Sequence, residues 1–257
     1  MSGGLDTASS FDVARLFDIE NLAGEPLGYP LSYVELIGTL AGLASVWLAT
    51  RANVWTWPTG VVNVVFLFAL FYQVQLYADM LLQLFFLAVT LYGWWQWRGG
   101  GGGRNRDLGR ERRSDGDGGA KPEGEAPRRV RPGTPAITQL PKVQRWATLG
   151  LVALGGVGFG LLFSRVHVWL PRYFPAPADY PYVDSFVLAA SVAATYLLAE
   201  KKLESWWLWI AVDVVCVGLF FRKGIHFLAL EYVIFLGLAT YGLLRWRRMA
   251  GGEGAAW

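Results

Sequence analysis

An aspartate stands in the middle of an otherwise apolar run, "WWLWIAVDVVCVGLFF", from Trp206 to Phe221. Wound into a helix, the run puts Asp213 about 20° round the axis from Trp206 and about 40° from Trp209, so one face carries two indoles and a carboxylate. Similar mixtures mark other apolar runs. Asn63 shares a face with Thr56 and Thr59, in a segment that Trp57 and Pro58 open. Asp79, Gln83, Phe86, Thr90, Trp94 and Trp97 recur near helical period, alternating hydrogen-bonding groups with rings. Glu231, with Tyr232 beside it, belongs to the last apolar run, and Glu35 and Thr39 begin the first. An ionisable group at the middle of a bilayer costs ~3 kcal/mol on insertion scales and marks function by default. The plainer role for Asp213 is a hydrogen bond to a neighbouring helix.

These groups suit recognition. Carboxylates and amides satisfy hydroxyls and a carboxamide, while indole faces stack flat rings and attract cations. A flat, positively charged solute bearing a sugar fits the set. No HExxH, GxSxG or GxxxxGK[ST] motif occurs, and the histidines are His167 and His226 alone, so no enzyme, catalytic residue, metal or cofactor is expected. His226 and Trp95 suit a membrane interface, as does Trp97, and Glu231 is close enough to a helix end to snorkel.

The elements that would hold these groups are membrane helices. Of 257 residues, 54% are hydrophobic and 17% charged, well to the membrane side of soluble usage. Twelve of the 23 basic residues and six of the 20 acidic ones lie between Arg98 and Arg145, leaving the remainder more apolar still. Within that stretch basic and acidic residues alternate among glycines and prolines with no aromatic for base stacking, which argues against a nucleic-acid partner. Cys216 is the only cysteine, so no intramolecular disulfide forms. Seven segments have roughly the 20 residues a bilayer core requires: 33–50, 57–74, 77–97, 146–166, 184–200, 205–221 and 225–245. The expected fold is an all-α membrane protein of seven transmembrane helices.

Basic residues favour the cytoplasmic side of a membrane. Arg51, the cluster from Arg98 to Arg145, Lys201, Lys202, Arg245, Arg247 and Arg248 share one side, which places the N-terminus outside and the C-terminus inside. Residues 1–28 lack a basic region followed by an apolar one, so the first span is expected to serve as insertion signal. Phe11–Leu22 is weakly amphipathic, fitting either a surface helix or a plain leader.

"LYGWWQWR" (Leu91 to Arg98) resembles "TYGLLRWR" (Thr240 to Arg247), and "VVNVV" (Val61 to Val65) resembles "AVDVV" (Ala211 to Val215), with Trp57 opposite Trp207 and a one-residue slip between the matches. Two three-helix units in parallel orientation need a fourth helix to carry the chain back, giving a three plus one plus three arrangement. The expected organisation is an external segment 1–32, a first repeat 33–97, a disordered cytoplasmic linker 98–144, a linking helix and external loop 145–182, a second repeat 183–247 and a tail 248–257. In the linking helix Gly156 and Gly160 form a small-xxx-small pair for close packing.

"WPTGVVN" (Trp57 to Asn63), "LYADMLLQ" (Leu76 to Gln83), "YGWWQW" (Tyr92 to Trp97) and "WWLWIAVDVV" (Trp206 to Val215) together resemble the PnuC nicotinamide riboside transporters. The resemblance implies a bacterial inner-membrane protein of SWEET-like fold that passes nicotinamide riboside down its gradient until phosphorylation traps it in the cytoplasm. It also implies a homotrimer. The solute would lie near the midplane against Trp57, Asn63, Asp79 and Gln83 from the first half and Trp206, Trp207, Asp213 and Tyr232 from the second. Relatives carry other vitamins, including thiamine, which is also cationic and aromatic. A membrane receptor or assembly protein is the remaining alternative.

Overall fold

The structure, a computed structural model, describes residues 13–73, 77–100, 137–172 and 180–251. It contains α1 (Tyr33–Thr50), α2 (Thr56–Gln73), α3 (Tyr77–Trp95), α4 (Lys142–Trp169), α5 (Pro181–Ala199), α6 (Glu204–Arg222) and α7 (His226–Ala250). Among the described residues six of these, all but α3, are long and apolar enough to cross a membrane.

Local chemistry sets the helix ends. The Ser32 hydroxyl accepts from the Glu35 N–H at 3.3 Å and opens α1, with the Glu35 carboxylate where the helix dipole favours negative charge. Pro181 opens α5, its fixed φ suiting a first helical position. Helices α1 and α5 stop in the same way. Ala52 (φ 50°) and Lys201 (φ 52°) take the left-handed conformation, and the next N–H groups, Asn53 and Lys202, reach back to Leu48 and Leu197 carbonyls at 3.0 and 2.8 Å. These bonds satisfy carbonyls that a helix terminus leaves free.

Helices α1, α2 and α3 pack in chain order, as do α5, α6 and α7, and the two groups meet where α1 touches α7 and α3 touches α5. Helix α4 lies along α5. Its Gly156 leaves 3.4 Å between an added Cβ and the Phe186 backbone, and the Tyr182 ring occupies the space beside Gly160, so this pair serves close packing.

Packing features recur in pairs at one constant chain interval. Trp57 and Trp206 are buried, each with its ring over a glycine of the third helix in its group, Gly93 and Gly242. Trp97 and Trp246 follow on those helices at the same interval, as do the left-handed Ala52 and Lys201. The correspondence is therefore Trp57 with Trp206, not with Trp207, and it needs no slip. String similarity misplaced it by one residue because three tryptophans crowd positions 206–209. The corrected register sets Asn63 against Val212 and Val64 against Asp213. One residue turns a helical side chain by about 100°.

Most of the expected linker lies outside the described residues. Its last part is ordered: Thr138 exchanges backbone hydrogen bonds with Lys201 and Leu203 at 3.1 and 3.0 Å, Leu140 is buried, and α4 begins at Lys142. The described part of Phe11–Leu22 is one 3-10 turn, Val13–Phe17, followed by a strand, β1 (Leu22–Gly24), paired antiparallel with β2 (Leu31–Ser32). Phe17 stacks on Phe66 at 4.5 Å and Gln73 Oε1 accepts from the Ile19 N–H at 3.0 Å, so the segment folds over the end of α2.

Candidate functional site

Asp213 stands at the middle of α6 and is 4% exposed. Its neighbours Val212 and Cys216 join Ala190 of α5 and Val152 of α4 in a buried cluster, onto which Trp209, Phe220 and Tyr232 pack. The Tyr232 hydroxyl donates to the Cys216 thiol and lies within electrostatic reach of Asp213. Its ring stacks on Phe220 at 5.4 Å and approaches Phe235 at 6.1 Å. Asp213 has no hydrogen-bond or ion-pair partner among the described residues. A carboxyl group so placed has hydrogen-bonding capacity left for a donor or a cation that arrives beside it.

Across the middle, Asn63 Nδ2 donates to the Gly38 carbonyl of α1 at 2.8 Å. The same nitrogen is 3.0 Å, and the Phe235 ring edge 3.7 Å, from where a Cβ on Gly42 would stand. Contacts thus run from Asn63 past Gly42 to Phe235 and Tyr232, and so to the Asp213 surroundings. Asn63, half-buried, bonds to α1, while Asp213 is buried beside the cluster of Val212 and Cys216 and within electrostatic reach of Tyr232. Gln83 is buried on α3. Asp79 lies in the first turn of that helix, and its side chain lies outside the described residues.

The other three expected residues gather elsewhere. Trp57 and Trp206 pack at the end of the bundle where α1 and α5 terminate, 3% and 1% exposed. Trp57 meets Trp97 edge to face at 5.2 Å, Trp206 meets Trp246 likewise at 5.4 Å, and Trp97 and Trp246 are 6.3 Å apart. The inner pair tie the two helix groups together. Trp97 Nε1 donates to the Ala199 carbonyl at 2.9 Å and Trp246 Nε1 to the Ala49 carbonyl at 3.0 Å, each closing onto the first helix of the other group. Trp97 is therefore a buried tie and not part of an interfacial belt, because the free carbonyl at the end of α5 captures its N–H. Trp207 is 50% exposed, with the Arg247 guanidinium over its ring at 5.1 Å.

The sequence reading put Trp209 on the face of Asp213 but not among the site residues; it packs against all three buried clusters and so stands at their junction. Phe235 closes the gap between the two groups, with no signal beyond being another aromatic in an apolar run. At the opposite end from the tryptophans, Tyr29 donates to Glu35 Oε1 at 2.8 Å and stacks on Phe227 at 5.2 Å, while Glu231 hydrogen-bonds Thr39. Burial and the neighbouring Glu35 carboxylate hold the Tyr29 hydroxyl above its ordinary range, so it remains a donor.

Against known proteins, a family model described as nicotinamide mononucleotide transporter matches residues 32–248. The nicotinamide riboside transporter PnuC of Escherichia coli is 29% identical over 241 residues, covering 89% of this chain and 90% of that protein. The riboflavin/roseoflavin transporter RibM of Streptomyces davaonensis is 30% identical over 212 residues, covering 82% of this chain and 83% of its own length. Among solved structures, the crystal structure of the vitamin B3 transporter PnuC matches with a TM-score of 0.56 at 19% identity, over 86% of this chain and 83% of that one, a likeness of fold.

Proposed function

The chain belongs to the nicotinamide mononucleotide transporter family, a family of membrane transporters and not of enzymes, and on that premise we propose that its solute is nicotinamide riboside, taken up by facilitated diffusion and trapped by cytoplasmic phosphorylation. One observation carries the choice of solute: Asp213, buried at mid-helix without a partner among the described residues, beside the rings of Trp209 and Tyr232. A pyridinium ring offsets that charge, and a ribose with a carboxamide uses the nearby amides and hydroxyls. Asn63, Gln83, Asp213 and Tyr232 are the groups we assign to the solute; Asp79, in the first turn of α3, is proposed on the family likeness alone. Trp57 and Trp206 form the floor of the site.

The finer architecture belongs to the same proposal. The paired tryptophans, glycines and left-handed helix ends support a SWEET-like three plus one plus three repeat, with α4 as the linking helix. The basic residues at the ends of α1, α5 and α7 support an inner-membrane orientation with the C-terminus in the cytoplasm. A trimer follows from family likeness. On this orientation the four tryptophans close the cytoplasmic end, and release of solute inward requires both cross-group indole bonds to break.

Riboflavin is the second reading, favoured by the likeness to RibM, and thiamine a third. Riboflavin is flat and carries a polyol but no charge, so it offers Asp213 hydroxyl donors and no counter-charge; thiamine is a cation. Uptake of each solute into proteoliposomes distinguishes them. Preferential uptake of nicotinamide riboside is expected, and preferential uptake of riboflavin overturns the proposal.

A further inference from the structure

We propose that the groove between α4, α5, α6 and α7, at the end where α6 begins and α7 finishes, binds the headgroup of an anionic phospholipid. The groove has a volume of about 280 Å³. Its wall is apolar, with Leu149 from α4, Leu197 from α5 and Leu208 from α6. Its rim carries Arg145 and Arg247. An apolar wall beneath a basic rim, at the depth where membrane helices end, complements acyl chain and phosphate together.

The two arginines differ in how they are engaged. Arg145 Nε pairs with Glu204 at 2.7 Å, and both oxygens of Glu204 also accept the Leu140 N–H at 3.1 Å. Glu204 is thereby committed. Arg247 is exposed and lies over the Trp207 ring, with no carboxylate partner among the described residues. The ring holds the guanidinium at the groove mouth, where it presents a planar fork to phosphate oxygens. Lys142, Lys202, Arg245 and Arg248 stand at the same end of the bundle, so the surroundings are basic with Glu204 already neutralised. A neutral or basic occupant gains nothing from this arrangement.

The test uses the purified full chain in detergent, titrated with phosphatidylglycerol, phosphatidylcholine or inorganic phosphate, with bound lipid counted by native mass spectrometry. Arg51→Gln is the control, since Arg51 also stacks on a tryptophan, Trp47, at 4.4 Å but does not border the groove. The parent should retain phosphatidylglycerol over phosphatidylcholine. Arg247→Gln should weaken that retention about five-fold, the contribution of one interfacial arginine, and Arg51→Gln should leave it unchanged. Arg247→Lys, which keeps the charge, should recover part of it, and unaltered melting curves should show that the variants fold. Equal retention of the two lipids, equal loss in Arg51→Gln, or inorganic phosphate displacing the lipid overturns the proposal. So does exclusion of lipid by self-association of the chain at this face.

Discussion

At the scale of single residues, two buried ionisable side chains stand out among the described residues, Asp213 and Lys201. Asp213 was legible because a carboxylate inside an apolar run is expensive and therefore conspicuous. Lys201 was not, since in the sequence it is one of several basic residues beside a span. The fold buries it to 2% exposure in the turn from α5 to α6, with its Nζ 4.2 Å from the Trp97 ring centroid. Burial lowers its ammonium from 10.5 to about 8. Between those values the unfolded chain holds a proton that the folded chain has released, so stability rises with pH across the window, and below about 8 the buried charge is a standing cost. Lys201→Met is expected to raise the melting temperature at pH 7, by an effect of ~1–3 kcal/mol after loss of the cation–π contact, and to lose the advantage by about pH 10. A lower melting temperature at pH 7 contradicts this. Among the residues expected at the site, Asn63, Gln83, Asp213 and Tyr232 are buried or half-buried away from the helix ends, but the three tryptophans do not join them. A tryptophan's side-chain type does not say whether it will stack a ligand, fill a glycine notch or face lipid.

At the scale of helices, spans were legible from length and apolarity alone, and their junctions were less so. The end of the linker carries too few apolar residues to advertise that Leu140 docks beneath α6. The notches over Gly93 and Gly242 make a sharp prediction. An added Cβ would stand 2.3 Å from the Trp57 ring and 2.6 Å from the Trp206 ring, so Gly93→Ala and Gly242→Ala should each destabilise by ~1–3 kcal/mol. Gly158→Ala on α4, with nothing within 4 Å, should be neutral or slightly stabilising. Thermal unfolding in one detergent checks all three. The cross-group indole bonds make a second prediction. Trp246→Phe keeps a ring but removes the indole bond to the Ala49 carbonyl, which retains the Ala52 N–H at 2.9 Å, costing ~1 kcal/mol. Faster amide exchange should appear at the end of α1, in the other helix group, and Trp97→Phe should do the same at the end of α5. Exchange rising only on the mutated helix contradicts the role of these bonds as ties.

At the scale of the whole molecule, two groups of three helices enclose a middle where, among the described residues, Asp213 is the unpaired carboxyl, closed at one end by tryptophans and lined at the other by Tyr29, Glu35 and Glu231. The two groups are equivalent in their ends and not in their middles, because the register sets Asp213 against a valine. That asymmetry puts a mid-helix carboxyl on one group alone, where a monocationic solute would pair with it. The most direct measurement is calorimetric binding of nicotinamide riboside to the purified parent and to Asp213→Asn, which keeps the side chain's size and removes its charge. A loss of affinity of at least about ten-fold, ~1.4 kcal/mol, is expected in the variant. Equal affinity in the two proteins would show that the solute does not use this carboxylate as its counter-ion.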